Sequence, residues 1–446
     1  MADKTLIKDA SIVNEGKINI GDVLIEGELI AEIGTIRRSS DFRVIEAKGK
    51  FLLPGIIDSH VHFRDPGLNH KGEIFTESRA AVAGGVTTFL EMPNTIPNVL
   101  GKKEIDAKNK IASQNSIANY GFYMGVCHKN LDYVLNLNPN DCFCITDDGL
   151  YMSGANLMLS ESPETMEKLF SGYKGLIAIH SEHEDVIHDN LDGFTKRFGE
   201  HIPFNAHAEI RSELACFLST VRAVSLARRT GARLHLLHLS TNSELSLLDS
   251  NKNVRTKQIT AEVCIPHLWF STEDYEKLGG LIKCNPSIKS SNIQASLLAA
   301  VNDDRNDIIS TDHAPHTLTE KLQTYSKCPS GIPMVQHSLT AMIEFYLDGR
   351  ISIEKLVEKM CHNPANLFQI EKRGYIKAGY FADLAIVDTN LPWTVSKDNI
   401  LYKCNWSPLE GQRFRSRVTN TFVNGNMVYA NNEITGKKFG REVFFL

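Results

Sequence analysis

The chain has 446 residues, of which 42% are hydrophobic and 23% charged, and its formal net charge is −5. This length exceeds one ordinary compact domain and suits one large barrel with an accessory domain, while the composition indicates a soluble globular protein. No dense Lys/Arg run occurs, and no stretch approaches the roughly 18 apolar residues of a membrane span. We therefore expect neither a nucleic-acid partner nor a membrane protein.

The nine cysteines are scattered along the chain, and Cys142 and Cys144 form the one close pair. An odd number without C-x-x-C spacing argues against a disulfide framework and for a reducing compartment. The start of the chain, MADKTLIKDA, has no basic region followed by an apolar stretch, so we expect no signal peptide. The expected location is the cytoplasm.

The first part of the chain, residues 1–53, is predicted to form a small β-domain. The segments TLIKDASIV, INIGDVLIEGELIAEIG and FRVIEA combine apolar alternation with glycine-containing turns, which is typical of short strands. The last part, residues 365–446, shows the same pattern in KRGYIKAGYFADLAIVD and VTNTFVNGNMVYA. The two chain ends are therefore expected to build one β-sandwich-like domain.

Residues 54–364 alternate short apolar runs with helical segments. Such alternation over eight strands is the pattern of an α/β protein with a (β/α)8 TIM-type barrel. A helix is predicted over 208–230, while the long segments 151–175 and 181–207 are expected to add loops at the active face. The eight runs are GIIDSHVH, VTTFLEMPN, NYGFYMGV, CFCITDD, GLIAIHSE, ARLHLLHLS, QITAEVC and DIISTDHAP.

Metal-type side chains recur at the ends of these runs. Barrel enzymes carry their active sites at the carboxyl ends of the strands, so side chains from different strands are expected to meet there. A mixed imidazole and carboxylate set suits Zn²⁺ best, with Mn²⁺ or Co²⁺ as alternatives, and the supply of ligands is enough for two ions. The residues are His60, His62, Asp147 or Asp148, His180, His238 and Asp312.

Two of these positions have a competing neighbour. Asp147 and Asp148 alternate along a strand and point to opposite faces, and we favour Asp148. His235 and His238 are three residues apart, and we favour His238 because it comes at the end of the strand. His235 is then expected to be a buried neighbour.

The expected chemistry is hydrolysis of an amide, ester or similar bond. Bound Zn²⁺ lowers the pKa of water to about 7 and polarises a carbonyl oxygen. Asp312 is the natural proton shuttle, because it can take a proton from the nucleophile and return it to a leaving nitrogen.

In combination, the motifs identify the chain as similar to the bacterial dihydroorotases of the amidohydrolase superfamily over essentially its full length. They are DSHVHFRDPG, LEMPNT, TDDG, IAIHSEHED, HLLHLST, AEVCIPHLWF, KCNPSIK, STDHAPHT and PSGIPMVQHSL. The resemblance implies reversible interconversion of L-dihydroorotate and N-carbamoyl-L-aspartate in pyrimidine synthesis, one or two Zn²⁺ ions, and a homodimer.

The resemblance also implies roles for single residues. His60 and His62 would bind one metal, His180 and His238 the other, and Asp312 would be both a ligand and the general acid/base. If the first strand extends that far, the Arg64 guanidinium shares the strand face of His60 and His62, and it is expected to bind the substrate carboxylate. The implied substrate-binding residues are Arg64, Asn94, Asn285, His316, Gly331 and Ile332.

The sequence departs from the family pattern at two positions. Many relatives bridge two metals with a carboxylated lysine after strand four, whereas this chain has Asp148, whose side chain is shorter but can also bridge. In IPHLW, Pro266 replaces the first of two adjacent histidines that family members often carry, and we expect only a local effect on the loop.

Two other functions stay open. A dihydropyrimidinase, hydantoinase or allantoinase would act on a ring without a carboxylate, which would leave Arg64 without a partner, and an unpaired buried guanidinium is costly. A non-catalytic homologue acting as a structural partner would be expected to have lost metal ligands, but His60, His62, His180, His238 and Asp312 are all present.

Overall fold

The computed structural model describes residues 4–138, 141–148, 150, 163–251, 253–435 and 438–446. Within them the strands are, in chain order, β1 (Lys4–Asn14), β2 (Lys17–Glu26), β3 (Leu29–Gly34), β4 (Phe42–Glu46), β5 (Phe51–Pro54), β6 (Ile56–Val61), β7 (Val86–Glu91), β8 (Asn119–Phe122), β9 (Met124–Gly125), β10 (Ile145–Thr146), β11 (Leu176–Ile179), β12 (Arg233–Leu236), β13 (Ile259–Cys264), β14 (Ile308–Ser310), β15 (Leu384–Asp388), β16 (Trp393–Thr394), β17 (Arg413–Phe414), β18 (Arg417–Val423), β19 (Asn426–Ala430) and β20 (Glu433–Ile434).

Helices fill most of the connections between these strands. They are α1 (Ile74–Ala83), α2 (Lys102–Asn115), α3 (Leu131–Leu135), α4 (Pro163–Gly172), α5 (Glu184–Phe198), α6 (His207–Ile210), α7 (Glu213–Thr230), α8 (Asn242–Leu245), α9 (Ile265–Trp269), α10 (Tyr275–Leu278), α11 (Ser291–Asn302), α12 (Leu318–Lys321), α13 (Ser338–Leu347), α14 (Ile353–Val357) and α15 (Asn363–Leu367). No helix in this described part of the chain is both long and apolar enough to cross a bilayer.

One nine-stranded sheet combines both ends of the chain. Its order is β20-β19-β18-β15-β5-β1-β2-β3, and β4 pairs with β1 in addition. The two ends meet where β5 and β15 run antiparallel, with Leu53 opposite Ala385. The same hydrophobic cluster contains Leu53 and Val418 of this sheet and Phe89 of β7, so the sheet shares a core with the rest of the molecule.

The central strands run parallel in two groups. One group has the order β6-β7-β8, and the other has the order β14-β13-β12-β11-β10-β9. β6 and β7 are buried along their whole length, which explains why their sequences do not alternate between apolar and polar residues as a half-exposed strand would. All eight runs predicted from the sequence contain a strand, and the third contains two, β8 and β9.

The two parallel groups approach each other at both edges. β8 and β9 are separated by the single residue Tyr123. At the other edge, Val61 forms a parallel bridge with His313, and the His62 N–H donates a 2.8 Å hydrogen bond to the His313 carbonyl. The carboxyl ends of all these strands therefore lie on one face of the molecule.

The expected loop over 181–207 is wrong, because this segment contains α5. Ile187, Leu191, Phe194 and Phe198 recur at helical spacing and pack in one hydrophobic cluster with Tyr325. The many charged residues and histidines between them obscured this periodicity in the sequence. In the segment 151–175, α4 covers Pro163–Gly172, and residues 151–162 lie outside the described part of the chain.

The helix predicted over 208–230 begins later than expected. The Ser212 side chain accepts a hydrogen bond from the Ala215 N–H and so caps α7 at its N-terminus. At the other end, Gly231 adopts a φ of 78° and stops the helix, as its position in the sequence suggests.

A buried polar network ties the terminal sheet to the parallel strands. The Asp383 carboxylate pairs with Arg373, accepts a 3.1 Å hydrogen bond from the Asn119 side chain of β8, and accepts another of 2.8 Å from the Asn424 N–H. Asp383 and Arg373 are each at most 3% exposed. The network therefore joins residues far apart in the chain.

Asp383→Ala is expected to lower the free energy of unfolding by about 3 kcal/mol, because it leaves the buried Arg373 guanidinium without its partner. Chemical denaturation followed by circular dichroism measures this change. Glu46→Ala is the control, since Glu46 pairs with Arg38 at the surface and its loss should change stability by no more than about 0.5 kcal/mol. Equal effects of the two substitutions would contradict the role of the network.

Candidate active site

The carboxylate of Asp148 lies between two pairs of histidines. Its Oδ2 is 3.4 Å from His60 Nε2 and 3.5 Å from His62 Nε2. Its Oδ1 is 3.5 Å from His180 Nδ1 and 3.5 Å from His238 Nε2. Each oxygen thus faces one pair of imidazoles, which is the arrangement that a carboxylate bridging two cations needs.

Asp147 points to the other side of the strand. Its Oδ1 accepts a 3.0 Å hydrogen bond from the His180 N–H instead of facing the imidazoles. His235 likewise lies behind the cluster: its Nδ1 is 2.9 Å from Thr260 Oγ1. Asp148 and His238 are therefore the members of these two pairs that lie at the centre.

Asp312 completes the cluster from the end of β14. Its Oδ1 is 3.1 Å from His62 Nε2 and 3.5 Å from His60 Nε2. The preceding residue, Thr311, is held by Asp58, whose carboxylate accepts 3.1 Å and 2.6 Å hydrogen bonds from the Thr311 N–H and hydroxyl. Asp58 comes from β6, so it locks the ends of β6 and β14 together.

Acceptors on the outer side of the cluster orient three of the four rings. His60 Nδ1 lies 2.5 Å from Glu262 Oε1, and His180 Nε2 lies 2.9 Å from Glu182 Oε2. His62 Nδ1 lies 2.8 Å from Asn94 Oδ1. Because these oxygens can only accept, each outer nitrogen carries a proton, and the inner nitrogen of each ring is the one that faces the centre.

The inner nitrogens lie where a proton or another cation is stabilised. His180 Nδ1 and His238 Nε2 are 2.9 Å apart, and the buried His60 Nε2 has no hydrogen-bond partner among the described residues. Burial alone lowers the pKa of His180, but hydrogen bonds with Asp148 and Glu182 raise it to about 10. The pocket thus attracts cations.

The donor set fits a divalent metal. His60 combines with Asp148 and His238 in one group of nitrogen and oxygen atoms that could hold an ion, and with His62 and Asp312 in another. Burial raises the pKa of Asp148, but the neighbouring imidazoles of His180, His238 and His60 hold that pKa well below the usual value. The carboxylate is therefore ionised, as a metal ligand must be.

Arg64 lies beside this cluster, but it is not part of the strand that carries His60. β6 ends at Val61, and Arg64 adopts a left-handed φ of 72°, so the expectation that it continues the strand face of His60 and His62 is wrong. Its Nε donates a 3.2 Å hydrogen bond to the Pro315 carbonyl, and one terminal nitrogen lies 3.2 Å from His316 Nε2.

The Arg64 guanidinium is buried without a matching anion. It is 5% exposed, and no carboxylate of the described residues lies within 4.0 Å of it. Burial lowers the pKa of Arg64, although more distant acidic groups, including Asp312, counteract this effect. A ligand carboxylate would supply the missing partner.

The other predicted ligand-binding residues surround the loop before Ile332. Ser330 Oγ donates a 2.8 Å hydrogen bond to Asn285 Oδ1, and the Ser330 carbonyl lies 3.0 Å from His316 Nε2. Gly331 has a φ of 142°, and a Cβ atom there would lie 2.4 Å from the Ala314 carbonyl oxygen. Its N–H already donates to the Lys283 carbonyl, and the Ile332 carbonyl accepts from the Ala314 N–H.

Sequence reasoning missed the buried carboxylates that orient the histidines. Glu262 and Glu182 are 0% exposed, and Asp58 is 2% exposed. Glu262 and Asp58 each interrupt an apolar strand, QITAEVC and GIIDSHVH. An acidic residue in a buried strand is costly unless it is paired, so such an interruption is a usable signal of a buried network.

Comparison with known proteins links the chain to one family. The model of the amidohydrolase family matches residues 51–428. A dihydroorotase from Carboxydothermus hydrogenoformans is 32% identical over 432 residues, which are 95% of this chain and 97% of that protein. A dihydroorotase from Methanosarcina acetivorans is 31% identical over 417 residues, covering 91% and 88% of the two chains.

The fold is also similar to that of a solved enzyme that is named a hydantoinase and not a dihydroorotase. The L-hydantoinase (dihydropyrimidinase) from Arthrobacter aurescens superposes with a TM-score of 0.90 at 25% identity, and all of both chains is covered. The sequence comparison therefore finds dihydroorotases, and the fold comparison finds a hydantoinase.

Asp148→Ala is expected to weaken the binding of divalent metal by about 100-fold or more, since loss of an outer-shell partner alone costs about 10–100-fold. Equilibrium dialysis against Zn²⁺, followed by elemental analysis, measures this affinity. Asp147→Asn is the matched control, because an amide oxygen can still accept from the His180 N–H. Unchanged metal binding in Asp148→Ala would contradict the central position of this carboxylate.

Proposed function

We propose, because the chain belongs to the amidohydrolase family and is similar over its full length to dihydroorotases, that it is a dihydroorotase. It interconverts L-dihydroorotate and N-carbamoyl-L-aspartate by hydrolysis and formation of a cyclic amide bond, a step of pyrimidine (UMP) synthesis. The observation that carries the substrate assignment is the buried Arg64 guanidinium, which has no described carboxylate partner and lies beside a cluster of histidines and carboxylates.

The proposed cofactor is Zn²⁺, one or two ions per chain. When bound, it would polarise the amide carbonyl and lower the pKa of the attacking water. The family is generally metal-dependent, and the described residues include two suitable ligand groups that share His60. The proposed ligands are His60, His62, Asp148, His180, His238 and Asp312.

Asp312 is the proposed general base and acid. Burial raises the pKa of Asp312, but the neighbouring His60 and His62 hold it below the usual value, so the carboxylate starts ionised. It takes a proton from water as the oxygen attacks the amide carbon. It then returns this proton to the ring nitrogen as the C–N bond breaks. In ring closure the two transfers run in reverse.

The proposed carboxylate site combines Arg64 with neighbouring polar groups. Asn94 Oδ1 is occupied by His62, which leaves the amide N–H groups of Asn94 as its donors to an anion. His316, Asn285 and the backbone at Gly331 and Ile332 complete the proposed set. Since Gly331 N–H is already bonded to Lys283, the loop would contact substrate through its remaining groups.

We also propose that the two parallel groups form one eight-stranded barrel over residues 54–364. The short gap between β8 and β9 and the bridge between Val61 and His313 support closure. Residues 1–53 and 365–446 would form the accessory β-domain, as the shared nine-stranded sheet suggests. A homodimer is proposed from the resemblance to dihydroorotases. A cytoplasmic location is proposed because the nine cysteines are free thiols, which suits a reducing compartment.

A second candidate is a hydantoinase or dihydropyrimidinase, because the fold is close to that of the Arthrobacter enzyme. The substrates of such enzymes carry no ring carboxylate, so Arg64 would stay buried and unpaired in the complex. A non-catalytic homologue is a weaker candidate, since the complete ligand set lies in one cluster.

The test of the function is ring opening of L-dihydroorotate beside dihydrouracil, hydantoin and allantoin, with Zn²⁺-loaded protein. Turnover of dihydroorotate alone is expected, and absorbance at the amide band reports it directly. Turnover of an uncharged ring instead would establish the second candidate. Metal-loaded protein without any turnover would favour the non-catalytic homologue.

Arg64→Met is expected to lower kcat/KM for dihydroorotate by roughly 100-fold, because a buried carboxylate then loses charge-assisted hydrogen bonds. The inhibition constant of dihydrouracil, measured against dihydroorotate turnover, should stay within about threefold of the wild-type value, as that ring offers no carboxylate. Arg413→Met, at an exposed arginine of β17, is the control. An equal loss of affinity for dihydrouracil would refute the carboxylate assignment.

A further inference from the structure

The loop that follows α12 is held by two buried lysines that have no role in the chemistry above. Lys321 is 1% exposed and Lys283 is 8% exposed. A capping box between Thr317 and Glu320 fixes the short helix α12, and this helix delivers Lys321 beneath the loop. Both ammonium groups then point into the loop.

Lys321 uses all three of its donors on backbone carbonyls. Its Nζ donates hydrogen bonds of 2.8 Å to the Gly331 oxygen, 3.0 Å to the Pro329 oxygen and 2.9 Å to the Lys283 oxygen. An ammonium has three donors, so this set saturates it. No carboxylate of the described residues lies within 4.0 Å of this nitrogen.

Lys283 holds the preceding part of the same loop. Its Nζ donates 2.7 Å hydrogen bonds to the Tyr325 and Cys328 oxygens, and it lies 4.3 Å from the centre of the Tyr325 ring. With the contact between His316 and the Ser330 oxygen, four consecutive carbonyls, from Cys328 to Gly331, face nitrogen atoms of the protein. Each backbone carbonyl of residues 328–331 therefore has a nitrogen atom within hydrogen-bonding distance.

Burying two ammonium groups without a carboxylate is costly. A lysine paired with a carboxylate would fill a merely structural role at a lower cost in free energy, and the described residues include several such lysines. Lys257 is 4% exposed and donates to the Asp307 carboxylate as well as to the Asp304 carbonyl. Lys257 precedes β13, at the end of the strand opposite the histidine cluster.

We propose that Lys283 and Lys321 are positioning residues that hold Pro329–Gly331 against Asn285 and His316, and thereby set the affinity for substrate rather than the rate of the chemical step. This inference rests on the proposed function only for the identity of the substrate. Ser330 is the link, because its hydroxyl donates to Asn285 and its carbonyl faces His316. Loss of either lysine would release these contacts together.

The experiment compares full-length wild-type protein with Lys321→Met, Lys283→Met and the matched control Lys257→Met. Steady-state kinetics with L-dihydroorotate are expected to show KM raised by about tenfold in the first two variants, with kcat within about threefold. Lys257→Met should leave both constants unchanged, even if its melting temperature falls. If Lys321→Met does not fold, Lys283→Met provides the same test.

Amide hydrogen exchange supplies a readout that does not depend on turnover. Exchange in the peptide 325–334 is expected to rise in Lys321→Met and Lys283→Met while the parallel strands keep their wild-type protection. Unchanged KM, or exchange that rises throughout the protein as for a general loss of stability, would overturn the proposal. A wild-type protein that does not open dihydroorotate would refute the proposed function, and the exchange data would still decide the role of the lysines.

Discussion

The site depends on one constraint: the side chain of Asp148 must lie within reach of four imidazoles that come from three other strands. Each of its oxygens is 3.4–3.5 Å from two ring nitrogens. These distances hold only if β6, β10, β11 and β12 end at the same level. The surrounding contacts serve this requirement: Asp58 ties β6 to β14, and Glu262 and Glu182 fix the planes of His60 and His180.

The face that carries the site has two regions, one that favours cations and one that favours anions. One half has ionised carboxylates beside inward-facing ring nitrogens, and it is suited to cations. The other half has Arg64, Lys283 and Lys321, which have no carboxylate within 4.0 Å among the described residues. Both lysines donate to backbone carbonyls, so their charge makes this half positive while Arg64 is the group that could contact an anion. A substrate with an amide carbonyl at one end and a carboxylate at the other matches this division. The Arg64 backbone, in a left-handed conformation, lies at the boundary.

Much of this arrangement could be predicted from the sequence, because the buried parallel strands are short, largely apolar runs that are followed by polar residues. His60, His62, Asp148, His180, His238 and Asp312 were identified in this way, and the structure brings all of them together. The position of Arg64 could not be predicted, since nothing in HVHFRDPG states that the strand stops at Val61. The buried acids Glu262 and Glu182 were missed because their partners are distant in the chain, and α5 was missed because its apolar residues are separated by charged ones.

Asp148 has a consequence for how such a centre is assembled. A carboxylated lysine forms only when a lysine amine reacts with carbon dioxide, and this adduct is reversible. An aspartate carries its carboxylate from the moment of translation. With Asp148 as the proposed bridge, the folded chain would need only metal to complete the centre, and its maturation would be independent of the supply of dissolved carbon dioxide.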